Sequence, residues 1–545
     1  MKKRIFLILA GSIVIVLFVL IRIGVWNSRG GFTEFIRGQR APSLTIENRD
    51  ASLRDGAGPA CAVLVRIDAG KPVNTVDPEF ISFAIDSSQL VGGKWWNPKA
   101  DRVEMGGGEK HAPVFNFNDP RMDALARGLA PAYLRIGGTE ADKVYYDMES
   151  DGKEKKAPPA GYESLMNRTH WDAAAGFAAR NGLKLVFTLN TGPSSRKPDG
   201  SWDAANAESL LAYAAKRGQR VAMWELGNEL NLFWYAYGPS KTVSPAQYDR
   251  DLASLRALVK KYHPESLCTG QGSAVWPVLG EPLGLLFGTM APYLERAGKS
   301  FDVVSWHYYP QQSRRGPVGS RRAYPARLLE PDYLDEAEYW GSRIVKLRGE
   351  FAPGKPVWLG ETGNAQYGGE PGLSNVYIAG LWWLDQLGLL ARNGHSVVVR
   401  QTLCGSDYGM IDQDTRVPRP DYWNSLIWKR LMGRGACGVH VEGEGVSKVR
   451  AYAHEAAGGG TCALVINLHH DRNAAVSFPG MKEGRVMMYV MNAPDVLGGD
   501  LLLNGTKLAL AADGSLPAIQ GTTLDLKAGS PITLRPLSYA FIRFQ

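Results

Sequence analysis

Residues 220–229 read RVAMWELGNE. From Val221 to Trp224 the run is apolar, as expected of a strand buried on both faces. Glu225, Asn228 and Glu229 then stand where the apolar residues stop. Ionisable groups at the mouth of a core strand imply a scaffold that gathers strand ends, and a partner elsewhere in the chain. Seven further runs share this texture: FISFAID (80–86), AYLRIGG (132–138), LKLVFTLN (183–190), LCTGQGS (267–273), FDVVSWHYY (301–309), PVWLGE (356–361) and SVVVRQTLCG (396–405).

The intervals between these runs read as helices. WDAAAGFAARNG stops at Gly182, and SPAQYDRDLASLRALVKKYHP opens on a Ser244 cap and stops before Pro264. SNVYIAGLWWLDQLGLLARNG likewise runs from a serine to a glycine. Eight buried strands alternating with helices predict an α/β fold, a (β/α)8 TIM barrel. An open doubly wound sheet is the competitor, but no GxGxxG follows the first strand and no phosphate-binding loop is present. From about Gly433 the pattern changes to short alternating stretches such as KVRAYAHE, TCALVINLH and RVMMYVM, separated by turn residues. This predicts a C-terminal β-sandwich, which AVLVRIDAG (62–70) can join as an N-terminal strand. The expected order is an N-terminal membrane anchor or signal segment (1–26), a tether (27–42), N-terminal strands (43–78), the barrel (79–432) and the sandwich (433–545).

MKKR followed by the apolar run Ile5–Ile21 is long enough to cross a bilayer, which takes about 20 residues. It is expected to act as an uncleaved signal anchor with the rest of the protein outside the cytoplasm; a cleaved signal peptide is the alternative. Of the formal charge of +8, residues 1–42 carry +6, with seven basic residues against Glu34. The basic balance therefore belongs to the N-terminus, and no nucleic-acid partner is expected. The five cysteines are scattered without a CxxC, which argues against a zinc ribbon or thioredoxin motif. Cys437 and Cys462 can bridge two strands, or all five can be buried thiols.

Polar residues at the C-terminal ends of barrel strands share one mouth. Strand four ends in Asn228-Glu229 and strand seven in Glu361. Two carboxylates facing each other there suit glycoside hydrolysis, one as proton donor and one as nucleophile or base. The Asn228 amide can bond a sugar hydroxyl. Strand six ends in His307-Tyr308-Tyr309, and a tyrosine hydroxyl near the nucleophile can hold it ionised; Arg135, in strand two, can do the same by charge. Glu225 reads as a buried structural acid, and the glycine-glutamate pair at 360–361 is equally open to reading as a helix cap. Arg314, Arg315, Arg321 and Arg322, in the loop after strand six, can bind sulfate or carboxylate groups or form a solvated surface.

The motifs AYLRIGGTEAD, WELGNELN, SWHYYP, VWLGETGNAQYGG and RQTLCGSDYGMID…PRPDYW resemble glycoside hydrolase family 79, the heparanase and β-glucuronidase family, from about Asn74 to Leu431. The resemblance implies a clan A barrel with a β-sandwich, acting with retention on β-linked uronic acids of a glycan and needing no cofactor and no metal. It implies Glu229 as acid/base and Glu361 as nucleophile. Asn228, His307 and Tyr309 would support the reacting ring, Gln401 would line the site, and Asp86 would bind sugar hydroxyls, with Ser88 as a neighbouring contact. Thr139, Gly368 and Gly369 would lie on substrate-lining loops. The Gly405 N–H and Tyr408 would read the uronate carboxylate. The short charged loop SDGKEKKAPPAGYES (150–164) falls where processed heparanases lose a linker, which implies a single chain. A clan A enzyme for a neutral sugar such as xylose, or a non-catalytic carbohydrate-binding barrel, is the alternative reading.

Overall fold

The structure, a computed structural model, describes residues 31–46, 59–96, 102, 110–153, 156–278, 290–317, 319–527 and 529–544. The expected membrane segment at 1–26 lies outside the described residues. Among the described residues no helix is long and apolar enough to cross a membrane.

Eight parallel strands close into a barrel: Ile81–Asp86, Ala132–Gly137, Leu183–Leu189, Met223–Leu226, Leu267–Val275, Val303–Tyr308, Val357–Thr362 and Val397–Arg400. The last pairs with the first, Val398 opposite Ile81. The helix Pro245–Tyr262 is capped by the Ser244 hydroxyl, which accepts from the Gln247 N–H. The helix Tyr377–Arg392 lacks the expected serine cap, because the Ser374 hydroxyl is turned to Asn364 and the Glu370 N–H instead.

Alternation along the barrel strands sorts side chains by face. Ala84, Tyr133, Val186, Met223, Val303, Trp358, Val397 and Val399 form one apolar cluster inside the barrel. Strand seven departs from this alternation. Its pairing with strand six slips between Trp306 opposite Leu359 and His307 opposite Glu361. The extra residue is Gly360, where a Cβ would lie 2.1 Å from the Ser305 Oγ. A glycine bulge re-aims the residue that follows it. Glu361, otherwise out of phase with Trp358, thereby points to the barrel axis.

The strand Cys61–Thr75 joins the C-terminal domain, antiparallel to Met432–Gly443 and parallel to Ala474–Ser477. Along Thr461–Asn467 and Ser538–Phe544 both faces are buried. Ala463, Val465, Ala540 and Ile542 enter the sandwich core, while Leu464, Ile466, Tyr539 and Phe541 pack on the barrel side. All five cysteines are free and buried, so Cys437 and Cys462 are not bridged. Within the segment read as a tether, Gly31–Gln39 form a helix docked on the barrel. Arg327 donates to the Arg37 and Gly38 carbonyls, and the Arg322 N–H also donates to the Gly38 carbonyl.

Candidate active site

At the C-terminal mouth of the barrel lies a cleft of about 620 Å³. Glu361 reaches it from the strand-seven bulge. One of its oxygens accepts from the Tyr309 hydroxyl at 2.8 Å, the other from Arg135 Nη1 at 2.8 Å. Burial pushes this carboxyl up. Positive charge at His307 and Arg135, with the bonds from Tyr309 and Arg135, outweighs burial and holds Glu361 below the usual carboxylate range.

Glu229 enters from the turn after strand four. Its backbone is left-handed, with φ of 49°, following Gly227 at 76°. Such a conformation in a non-glycine residue costs energy and persists only where surrounding contacts impose it. Its carboxylate bonds the His307 ring at Nδ1, 2.9 Å away. Burial pushes Glu229 above the usual range, and the Glu361 charge adds to this against the pull of His307. One oxygen of each carboxylate and a His307 ring nitrogen all lie within 4.8 Å of one another. These three side chains are also a plausible metal-ligand set by type. The Arg135 guanidinium bonded to Glu361 already supplies the positive charge a cation would bring, so an acid/base pair is the better reading.

Arg135 is 2 % exposed and ties the floor of the site together. Besides Glu361 it donates to Glu225 at 2.8 Å and to the Asn228 side-chain oxygen at 2.9 Å. Glu225 also accepts from the Thr188 hydroxyl and is the buried structural acid of the opening motif. The Asn228 side-chain oxygen is committed to Arg135, which leaves the amide NH2 for another partner. Room for the His307 ring comes from Gly272, where a Cβ would lie 2.3 Å from Nε2.

Asp86, Thr139, Asn228, Glu229, Tyr309, Glu361, Gln401 and Tyr408 all line the cleft. Arg135 and His307 sit beneath them. Asp86 caps a short helix and accepts from the Ser88 N–H and hydroxyl at 2.9 and 2.8 Å. Burial pushes its carboxyl up to about 8. Ser88 is fully buried and orients Asp86 rather than facing the cleft. Gly368, Gly369 and Gly405 are not among the lining residues. The Gly368 carbonyl accepts the Asp407 and Tyr408 N–H groups, and a Cβ on Gly405 would lie 2.4 Å from the Gln89 Nε2. Their contribution is backbone shape around Tyr408.

Each of the four arginines after strand six has a partner within the protein; Arg321 is buried, Arg315 and Arg322 are part-buried and Arg314 is exposed. Arg321 pairs with Glu336 and stacks 3.9 Å from the Tyr333 ring centre. Arg314 pairs with Glu370, Arg315 with Asp407, and Arg322 donates to the Gly316 carbonyl. They fasten the loop to its neighbours. Sequence reasoning missed the cleft walls, which include Trp96, Tyr235, Tyr237, Trp276 and Tyr367. For Tyr235 and Tyr237 the available signal was the aromatic run FWYAY (233–237), three residues beyond the Asn-Glu pair.

A closed parallel barrel with two carboxyls at its rim, Glu229 raised above and Glu361 held below the usual range, is the arrangement of a glycoside hydrolase. The chain belongs to glycosyl hydrolase family 79, whose N-terminal domain model matches residues 62–388. It is 30% identical to heparanase of Mus musculus, over 86% of this chain and 91% of that one. It is 27% identical to inactive heparanase-2 of Homo sapiens, over 88% of each. Among solved structures, a 4-O-α-L-rhamnosyl-β-D-glucuronidase from Fusarium oxysporum shares the fold, with a TM-score of 0.63 at 15% identity, over 88% of this chain and 100% of that one.

Proposed function

We propose that this protein is a retaining β-glucuronidase, heparanase-like, acting on β-linked glucuronic acid in a glycan. The observation that carries the reading is that one carboxyl oxygen of Glu229 and one of Glu361 lie within 4.8 Å of each other. Retaining enzymes hold their carboxyl groups about 5–5.5 Å apart, whereas inverting enzymes leave about 6.5–9.5 Å for a water. Glu361, ionised, attacks the anomeric carbon while Glu229, protonated, delivers its proton to the leaving oxygen. Glu229, now ionised, then takes a proton from the water that releases the glucuronyl group. Tyr408 and Gln401 offer neutral dipoles beside Glu361, which suit a carboxylate without a full counter-charge. A protonated Asp86 adds no repulsion to it. An extracytoplasmic setting rests on the apolar run Ile5–Ile21.

The test is turnover of an aryl β-glucuronide against an aryl β-xyloside, with the anomer of the first-formed product read by NMR. The glucuronide is expected to be preferred and the β-anomer released first. Glu361→Gln is expected to lower kcat by about 10⁵-fold with the fold intact. Full activity in that variant would overturn the assignment, and preference for the xyloside would move the substrate to a neutral sugar. Since turnover needs Glu361 ionised and Glu229 protonated, kcat/KM should be bell-shaped, and Glu229→Gln should flatten its alkaline limb.

A further inference from the structure

Asp142 stands between three strand-end loops at the edge of the cleft. It follows strand two in a short helical turn, Thr139–Lys143, and is 2 % exposed. One carboxylate oxygen accepts from the Thr191 N–H at 2.8 Å and from the Thr191 hydroxyl at 3.1 Å, both beyond the end of strand three. The other accepts from the Asn228 N–H at 3.0 Å, in the turn after strand four. The three loops meet without slack. A Cβ on Gly192 would lie 2.0 Å from the Asp142 carbonyl oxygen, and one on Gly227 would lie 2.1 Å from the Thr191 Oγ1.

The turn that Asp142 grips is the one that presents Glu229. The Asn228 N–H immediately precedes the residue whose φ is 49°. A left-handed glutamate relaxes unless its neighbours hold it, and relaxation would swing its carboxyl away from His307 and from the leaving oxygen. Arg135 fixes the Asn228 side chain and Asp142 fixes its backbone, so the residue before the acid is pinned from both sides.

We propose that Asp142 is a positioning residue for the acid/base: by accepting the Asn228 N–H across from Thr191, it holds Glu229 in the geometry that protonates the leaving group. The proposal rests on Glu229 being the acid. Asparagine at 142 has one acceptor oxygen for donors that sit on both sides of the carboxylate. Its NH2 must then face either the Thr191 or the Asn228 N–H, and the anchor fails on one side.

Leaving-group dependence separates positioning from general damage. Phenyl glycosides need a proton delivered in the first step, whereas 2,4-dinitrophenyl glycosides leave without one. The kcat/KM of Asp142→Asn is expected to fall about 10²-fold on phenyl β-glucuronide and to stay within about threefold on the dinitrophenyl compound, with the melting transition still cooperative. Thr191→Val keeps Asp142 and removes one donor, and should show the same bias at smaller size. Equal losses on both substrates in both variants would overturn the proposal and leave the substrate reading untouched. A wild-type chain that cleaves only aryl xylosides would overturn the substrate reading alone, and the same two leaving groups on xylose would then decide the role of Asp142.

Discussion

Toward the N-terminal end of the barrel the inward side chains are Tyr133, Val186, Met223, Val303 and Trp358. Two residues further along the same strands come Arg135, Thr188, Glu225, Ser305 and the bulge at Gly360. One step of strand alternation thus changes an apolar plug into a charged layer. The plug keeps water from reaching the charges from below, and in that low-dielectric setting each hydrogen bond and each charge moves a carboxyl further than it would in water. Two glutamates, Glu361 buried and Glu229 part-buried, therefore differ in poise for local reasons. Glu361 has donors on both oxygens and a guanidinium against it, while Glu229 is bonded by His307 and feels Arg135 only through space. Neither end would serve without the other.

The sharpest way to break this contrast is to remove the charge at its centre. Arg135→Leu makes the upper layer as apolar as the lower one and leaves Glu225 and Glu361 buried without their cation. Breaking a buried pair in this way costs about 3–5 kcal/mol, and kcat should fall about 10³-fold as Glu361 gains a proton. Denaturant titration and steady-state kinetics together check it. Gly360→Ala attacks the same layer through the backbone. With no room for a Cβ beside Ser305, the bulge must shift and carry Glu361 with it; kcat is expected to drop about 10²-fold with a smaller loss of stability.

The two layers also explain what could be read from the sequence. Strands buried on both faces are continuous apolar runs, so the eight barrel strands were visible, as was the switch to short alternation in the sandwich. Glu229 and Glu361 stood out because charge at the end of such a run is unusual. The bulge at Gly360 was not legible, since a glycine before a glutamate looks the same whether it bulges, caps a helix or fills a regular strand. Nor was the use of the arginines after strand six, because Glu336, Glu370 and Asp407 lie 15 to 92 positions away from them. Asp142 ends the motif AYLRIGGTEAD, but the two loops it bonds lie 49 and 86 positions further on, so its partners could not be read from the sequence.

In the lower layer the expected outcome reverses. Met223→Ala opens a cavity in the plug and should cost about 2–5 kcal/mol, while kcat of the folded protein stays within about twofold. A large loss of kcat at unchanged stability would show that the plug and the charged layer are not separable in the way their positions imply.

The smallest effect expected is on the pH dependence of stability, at the edge of the charged layer. Burial raises the Asp86 carboxyl to about 8, against the Ser88 bonds that favour its ionised form. Unfolded, the same group releases its proton near 4. Between these values the folded chain holds a proton that the unfolded chain has lost, so stability is fully present below the lower value and declines as pH rises toward the folded value. Asp86→Asn carries no proton to release. Denaturant midpoints at pH 5 and pH 7 should therefore fall more steeply with pH in the wild type than in the variant. An identical slope in both would mean that Asp86 is ionised at neutral pH in the folded chain, and the charged layer would then extend to the first strand as well as the second, fourth and seventh.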